Sequence, residues 1–123
     1  VPKIPQFEVR NVRFTSIGPG GVGMRVTTTV KNTNRFPLPL EGFKFNFKLN
    51  GRSVLKNETV SGMNLKAGQT RDIPLNFTFG LLEAGLTVAS LATEPTLRWA
   101  LDTKLDAGIL NIPFDASGKI KLT

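Results

Sequence analysis

KNTNRFPLPLEGFKF, residues 31–45, is the stretch from which the fold is read. Two asparagines, two prolines and a glycine interrupt an otherwise apolar run, too ordered in composition for a linker and too broken for a strand. Asn32 and Asn34 tolerate left-handed backbone and fold their amides onto nearby backbone groups, so they end the preceding element in an ordered turn. Pro37 and Pro39 fix their own φ and hold Phe36 and Leu38 extended, which projects Phe36, Leu38 and Leu40 to one side of a stiff segment. The next inward set begins at Phe43, a step of three from Leu40, and Gly42 is placed to reset the alternation. The segment reads as a rigid crossover carrying the chain from one sheet of a sandwich to the other, its apolar side packed on the core.

The flanks support that reading. Residues 24–31 alternate, with Met24, Val26, Thr28 and Val30 on one side and Arg25, Thr27, Thr29 and Lys31 on the other, the mark of a half-buried strand. Phe43, Phe45, Phe47 and Leu49 repeat the pattern, and Asn50-Gly51 signals a hairpin into a partner strand over 52–60. Ile73, Leu75, Phe77 and Phe79 form another inward face, with Pro74 placing that strand at an edge or marking its start. Leu97, Trp99 and Leu101 mark a further one, with Trp99 as a core plug. In the first strand, over 7–17, Phe7 and Val9 are odd but Val12 and Phe14 are even, so a bulge is expected near Arg10-Asn11. The tail reads as strand pieces 109–114 and 119–122 joined by an Asp115-Ala116-Ser117-Gly118 turn. Residues 80–92 space Leu82, Leu86 and Ala89 for one short amphipathic helix. The expected architecture is all-β: one domain over 1–123, an immunoglobulin/fibronectin type III-like antiparallel β-sandwich of about seven strands with one short helix.

Composition narrows the chemistry. Cysteine, histidine and tyrosine are absent from the 123 residues, which removes thiolate or imidazole metal ligation, Cys or His catalysis and disulfides. Gly18-Pro19-Gly20-Gly21-Val22-Gly23 matches G-x-G-x-x-G in form, but a strand follows where a phosphate-binding helix is required, so it reads as a flexible strand-to-strand loop. Asp102, Asp106 and Asp115 have no spacing that pairs them across a cleft or wraps them round calcium. No enzymatic activity and no cofactor are expected. The net charge of +7 favours encounter with anionic surfaces. The basic residues are scattered singly, however, which speaks against specific nucleic-acid binding.

The strand FEVRNVRF, the run VKNTNRFPLPLEGFKFNFKLNG and the closing IPFDASGKIKL together resemble the WHy (water stress and hypersensitive response) domain of the group-two late embryogenesis abundant proteins. Asn32 and Asn34 match the two asparagines of that family's Asn-Pro-Asn signature, with Thr33 at the middle position, and Pro37, Pro39 and Gly42 complete the structural motif. The late Pro113-Phe114 and Ser117-Gly118 look like bacterial members. The resemblance implies a folded, non-catalytic stress protein that shields partially unfolded client proteins during desiccation or cold, and a monomer is expected. It also implies export to the cell envelope, as a lipoprotein whose leader has been removed, with a cytoplasmic setting as the alternative. The other functional expectation is an envelope module binding anionic membrane or polymer surfaces. Lys44, Lys48 and Arg52 are the exposed basic candidates for surface contact.

Overall fold

A computed structural model of the protein describes residues 3–93, 96–107 and 110–121. Seven strands and one helix follow in the order β1 (Gln6–Gly18), β2 (Gly21–Lys31), β3 (Leu38–Leu49), β4 (Arg52–Leu65), β5 (Thr70–Phe79), α1 (Val88–Thr93), β6 (Thr96–Ala107) and β7 (Leu110–Lys121). They form two antiparallel sheets, β1-β2-β5 and β4-β3-β6-β7, packed face to face as an immunoglobulin/fibronectin type III-like sandwich. The chain crosses between the sheets from β2 to β3, from β4 to β5 and from β5 to β6, and segment 32–37 is the first of these crossings.

Period-two alternation drives the interior as the sequence implies. Met24, Val26 and Val30 from one sheet meet Phe43, Phe45, Phe47 and Leu49 from the other, all buried, with Ile73, Leu75 and Phe79 of β5 and Leu97, Leu101 and Leu105 of β6 completing the core. Thr28 and Thr103 are buried among these apolar groups. Each spends its hydroxyl proton on a carbonyl across its ladder, Ile73 O at 2.8 Å and Lys44 O at 2.9 Å. Phe47 and Phe77 join the sheets through rings 5.3 Å apart, while Phe7 stacks on Phe114 at 5.3 Å and closes the side where β1 meets β7.

The irregularities have local causes. Registers shift between Val9 and Asn11, where the parity change in β1 calls for a bulge, and again between Phe14 and Ser16. Asn50 and Gly51 take positive φ values of 48° and 82° and close the β3–β4 hairpin. Pro74 lies on β5, an edge strand, opposite Thr27. β7, the edge of the other sheet, carries Pro113. A proline on an edge removes a donor that a neighbouring chain could pair with.

Several expectations need correction. Residues 38–45 are not too broken for a strand: β3 begins at Leu38, and Pro39 pairs opposite Asn64. The inward set does move from Leu40 to Phe43, and the close backbone approach beside that step is at Gly62 of β4. A Cβ there would fall 2.4 Å from the carbonyl oxygens of both Leu40 and Glu41, whereas one on Gly42 meets nothing closer than Val60 O at 3.4 Å. Residues 115–118 are not a turn but the middle of an unbroken β7, and Gly118 lies opposite Trp99. The outer ends of those tail pieces, Ile109 and Leu122, lie outside the described residues. The stretch 18–23 is a tight hairpin with only Pro19 and Gly20 between strands, not a longer loop.

The 80–92 helix is cut in two. Gly85, at φ 68°, ends a single turn through the paired bonds Leu86 N–H to Leu81 O (2.9 Å) and Gly85 N–H to Leu82 O (3.0 Å). Thr87 then restarts the chain as an N-cap, exchanging bonds of 2.8 and 3.0 Å with Ser90. Leu82 is consequently 86% exposed, while Ala84 and Leu86 are buried.

Trp99 stacks on Phe47 with ring centroids 6.2 Å apart and lies flat over Gly118, whose Cβ, if present, would fall 2.8 Å from the indole. Gly118→Val is therefore expected to displace the indole towards water, red-shift the protein's single-tryptophan emission and lower stability by about 1–3 kcal/mol. Fluorescence-monitored denaturation checks both.

Candidate functional site

The end of the sandwich where β2 passes to β3 is held by a buried amide network. The backbone N–H of Asn32 donates to Gln69 O at 2.9 Å. Its side-chain Nδ2 donates to Phe36 O at 2.9 Å and to Leu65 O and Lys66 O at 3.2 Å. Its Oδ1 accepts the backbone N–H and the Nδ2 of Asn34, each at 2.9 Å. Asn34 in turn grips the N-terminal segment, its Oδ1 accepting Lys3 N–H at 2.6 Å and its Nδ2 donating to Lys3 O at 3.0 Å. Asn32 is fully buried and Asn34 nearly so. No buried side-chain nitrogen or oxygen lacks a partner among the described residues.

Asparagine is the residue type this position demands. It offers an acceptor and a two-proton donor on one planar group, so it can stitch backbone from several segments. Pro37 and Pro39 shape the exit: neither needs a hydrogen-bond acceptor, and the chain leaves the network extended. The same end exposes Phe36 and carries Lys3, Arg35 and Lys66, all tied to or adjoining the network.

The predicted basic candidates lie elsewhere and are not all brought together. Lys44 and Lys48 of β3 alternate on the outer face of the four-stranded sheet. Lys44 stands opposite Lys104, and Asp102 opposite Asp115 one row along, so these like charges face each other; the rows of Asp106, Lys44/Lys104, Asp102/Asp115 and Lys48 alternate in sign, and the Arg98/Lys119 row beyond Lys48 is again positive. A shallow groove of about 500 Å³ runs beside Lys44 and Lys104, with Glu41 and Asp106 in its wall. This surface is a mixed, hydrated lattice of charge. Arg52, at the start of β4, is separate: its guanidinium lies over Gly85. Asp102, Asp106 and Asp115 are strand residues of that same outer face and converge on no cleft.

What the geometry defines is a small β-sandwich whose sheet crossing is clamped by asparagine amides. Residues 27–118 match the sequence profile of the family described as Late embryogenesis abundant protein, type 2, and the chain belongs to that family. A soybean (Glycine max) protein named desiccation protectant protein Lea14 homolog is 26% identical over 133 residues, spanning 99% of this chain and 83% of the relative. A solution structure from Arabidopsis thaliana superposes with a TM-score of 0.72 at 19% identity, over 99% of this chain and 84% of that one. A crystal structure of an Archaeoglobus fulgidus protein superposes at 0.59 with 11% identity, over 94% and 98%. The two structural likenesses speak to the fold alone.

Truncating Asn32 to Ala orphans the buried Leu65 carbonyl and the buried Asn34 amide at once and strips the part-buried carbonyls of Phe36 and Lys66 of their partner, at about 1–3 kcal/mol for each buried group left unpaired. Asn32→Ala is expected to lower unfolding free energy by at least about 3 kcal/mol. Asn34→Ala loses less, because its partners on Lys3 are within reach of water. Urea denaturation of the two variants side by side measures the difference.

Proposed function

We propose that the protein is a non-enzymatic, stress-protective member of its family, which shields partially unfolded client proteins from inactivation as water is withdrawn. The observation that carries this reading is the family match over most of the chain, alongside a relative named as a desiccation protectant. The residue inventory agrees: no cysteine or histidine is available, and the carboxylates Asp102, Asp106 and Asp115 open onto one hydrated sheet face with no enclosed cleft beside them.

The physical route is separation, not capture. Prolines on β5 and β7 and register irregularities along β1 and β4 interrupt all four sheet edges as templates for a client's strand, so the protein does not co-aggregate with what it protects. The alternating charge rows of the outer face keep it hydrated and monomeric at the high concentrations that drying imposes. Contact with clients is weak and distributed, with Lys44 and Arg52 exposed and Lys48, predicted to be exposed, half-buried on its strand. Within the family, the Asn32/Asn34 pair followed by Pro37 and Pro39 favours the WHy type.

A labile enzyme carried through freeze-thaw or drying with this protein is expected to retain more activity than with equal masses of an inert neutral globule or an unrelated basic protein, and the gain persists in moderate salt. Recovery no better than either control contradicts the proposal.

A further inference from the structure

We propose that the crossover end of the sandwich is a docking surface for a bilayer bearing anionic lipid headgroups, an activity separate from client shielding. Three chain segments meet there: residues 3–7, 31–40 and 65–71. They contribute Lys3, Lys31, Arg35, Lys66 and Arg71, and none of them contains an aspartate or glutamate. The acids begin further up the strands, at Glu8, Glu41 and Asp72, with Asp106 on the neighbouring β6 opposite Gly42. A chain whose cations look evenly scattered thus gathers five of them at one end.

Two of the four exposed large apolar side chains among the described residues stand at the same place, Ile4 at 61% and Phe36 at 46% exposure. The other two, Ile17 and Leu82, belong to the opposite end, which carries Arg52, Arg98, Lys119 and Lys121 together with Glu83 beside Leu82. Apolar side chains flanked by long cationic ones at one end of the sandwich match the headgroup boundary of a bilayer. The ring and the aliphatic side chain enter the acyl margin, and the Lys and Arg stems lie along it with their charges at the phosphates. Ile4 offers nothing to a polyanion in water, which favours lipid over nucleic acid or a soluble polymer.

The tip is also pre-organised. Phe36 and Lys66 present their carbonyls to the same nitrogen, Asn32 Nδ2, and Lys3 is held at both its N–H and its C=O by Asn34. The Lys66 N–H is bound to Gln69 Oε1 at 2.8 Å. The backbone beneath these side chains is therefore fixed before contact, and little ordering remains to oppose binding.

The test uses the whole chain and sedimentation with lipid vesicles, of phosphatidylcholine alone or with about one-third phosphatidylglycerol. Binding to the anionic vesicles, weakened by salt and absent from the neutral ones, is expected. Replacing Arg35 and Lys66 with Gln should weaken partition about 25-fold, at about five-fold per charge. Phe36→Ser should weaken it roughly five-fold, since only the exposed part of the ring remains to be buried. Lys119→Gln with Lys121→Gln, at the opposite end, should leave it unchanged. Unaltered Trp99 emission verifies that each variant is folded. Because the chain has no cysteine, Ile4→Cys and Leu82→Cys proteins can each carry one environment-sensitive dye. A blue shift on anionic vesicles at position 4 and not at position 82 supports the tip. Equal binding to both vesicle types, no loss in the Arg35/Lys66 variant, or equal dye responses at the two ends overturns the proposal. So does a dye at position 4 that stays in water while a single-stranded oligonucleotide displaces the protein, since contact is then with charge alone.

Discussion

One buried amide group holds the two sheets in their relation at the crossover end. Asn32 is the first residue past β2, yet its hydrogen bonds reach the 32–36 crossing, the end of β4 at Leu65 and Lys66, and the residue before β5 at Gln69. Through Asn34 the same network takes in Lys3 ahead of β1. The β2–β5 ladder ends at Lys31 opposite Thr70, and the network carries the connection past it to β4 of the other sheet and to Lys3 ahead of β1. A buried polar group is costly when half satisfied and organising when complete, and here it is complete.

The remaining architecture is consistent with that clamp. The phenylalanines of β3 supply bulk to the middle of the sandwich, and Phe47 touches both Phe77 of the other sheet and Trp99 of its own. Glycines are placed where backbone or ring comes too close for a Cβ: Gly62 beneath the β3 carbonyls and Gly118 beneath the indole. Each releases a conflict between a long regular strand and the packing across it.

Most of the strands were legible because side-chain alternation on a half-buried strand is a local property, written residue by residue in 24–31, 43–49 and 73–79. The β1 bulge was legible for the same reason, since a change of parity between Val9 and Val12 has no other cause in a strand. What escaped was set by partners distant in sequence. Asp115-Ala116-Ser117-Gly118 has turn composition, but its glycine answers to Trp99 lying across it. Gly42 looked like the register switch because it is local, while the close approach is at Gly62, twenty residues on. The break at Gly85 was available in principle, since a glycine two residues before Thr87 is both a helix stop and a new start. The basic tip was invisible because its cations come from three segments separated by long strands, and only the fold places them side by side.

The central physical claim is that the crossover is as firmly held as the core. Native-state hydrogen exchange at single-residue resolution tests it most directly, on the amide protons of Asn32 and Asn34, which bond to Gln69 O and Asn32 Oδ1. The account has both exchanging only through global unfolding, with the same opening free energy as Val26 or Phe45 in the core. Exchange at the faster rates of a surface connection, while the core amides stay protected, would show that the asparagine pair decorates the crossing without holding it.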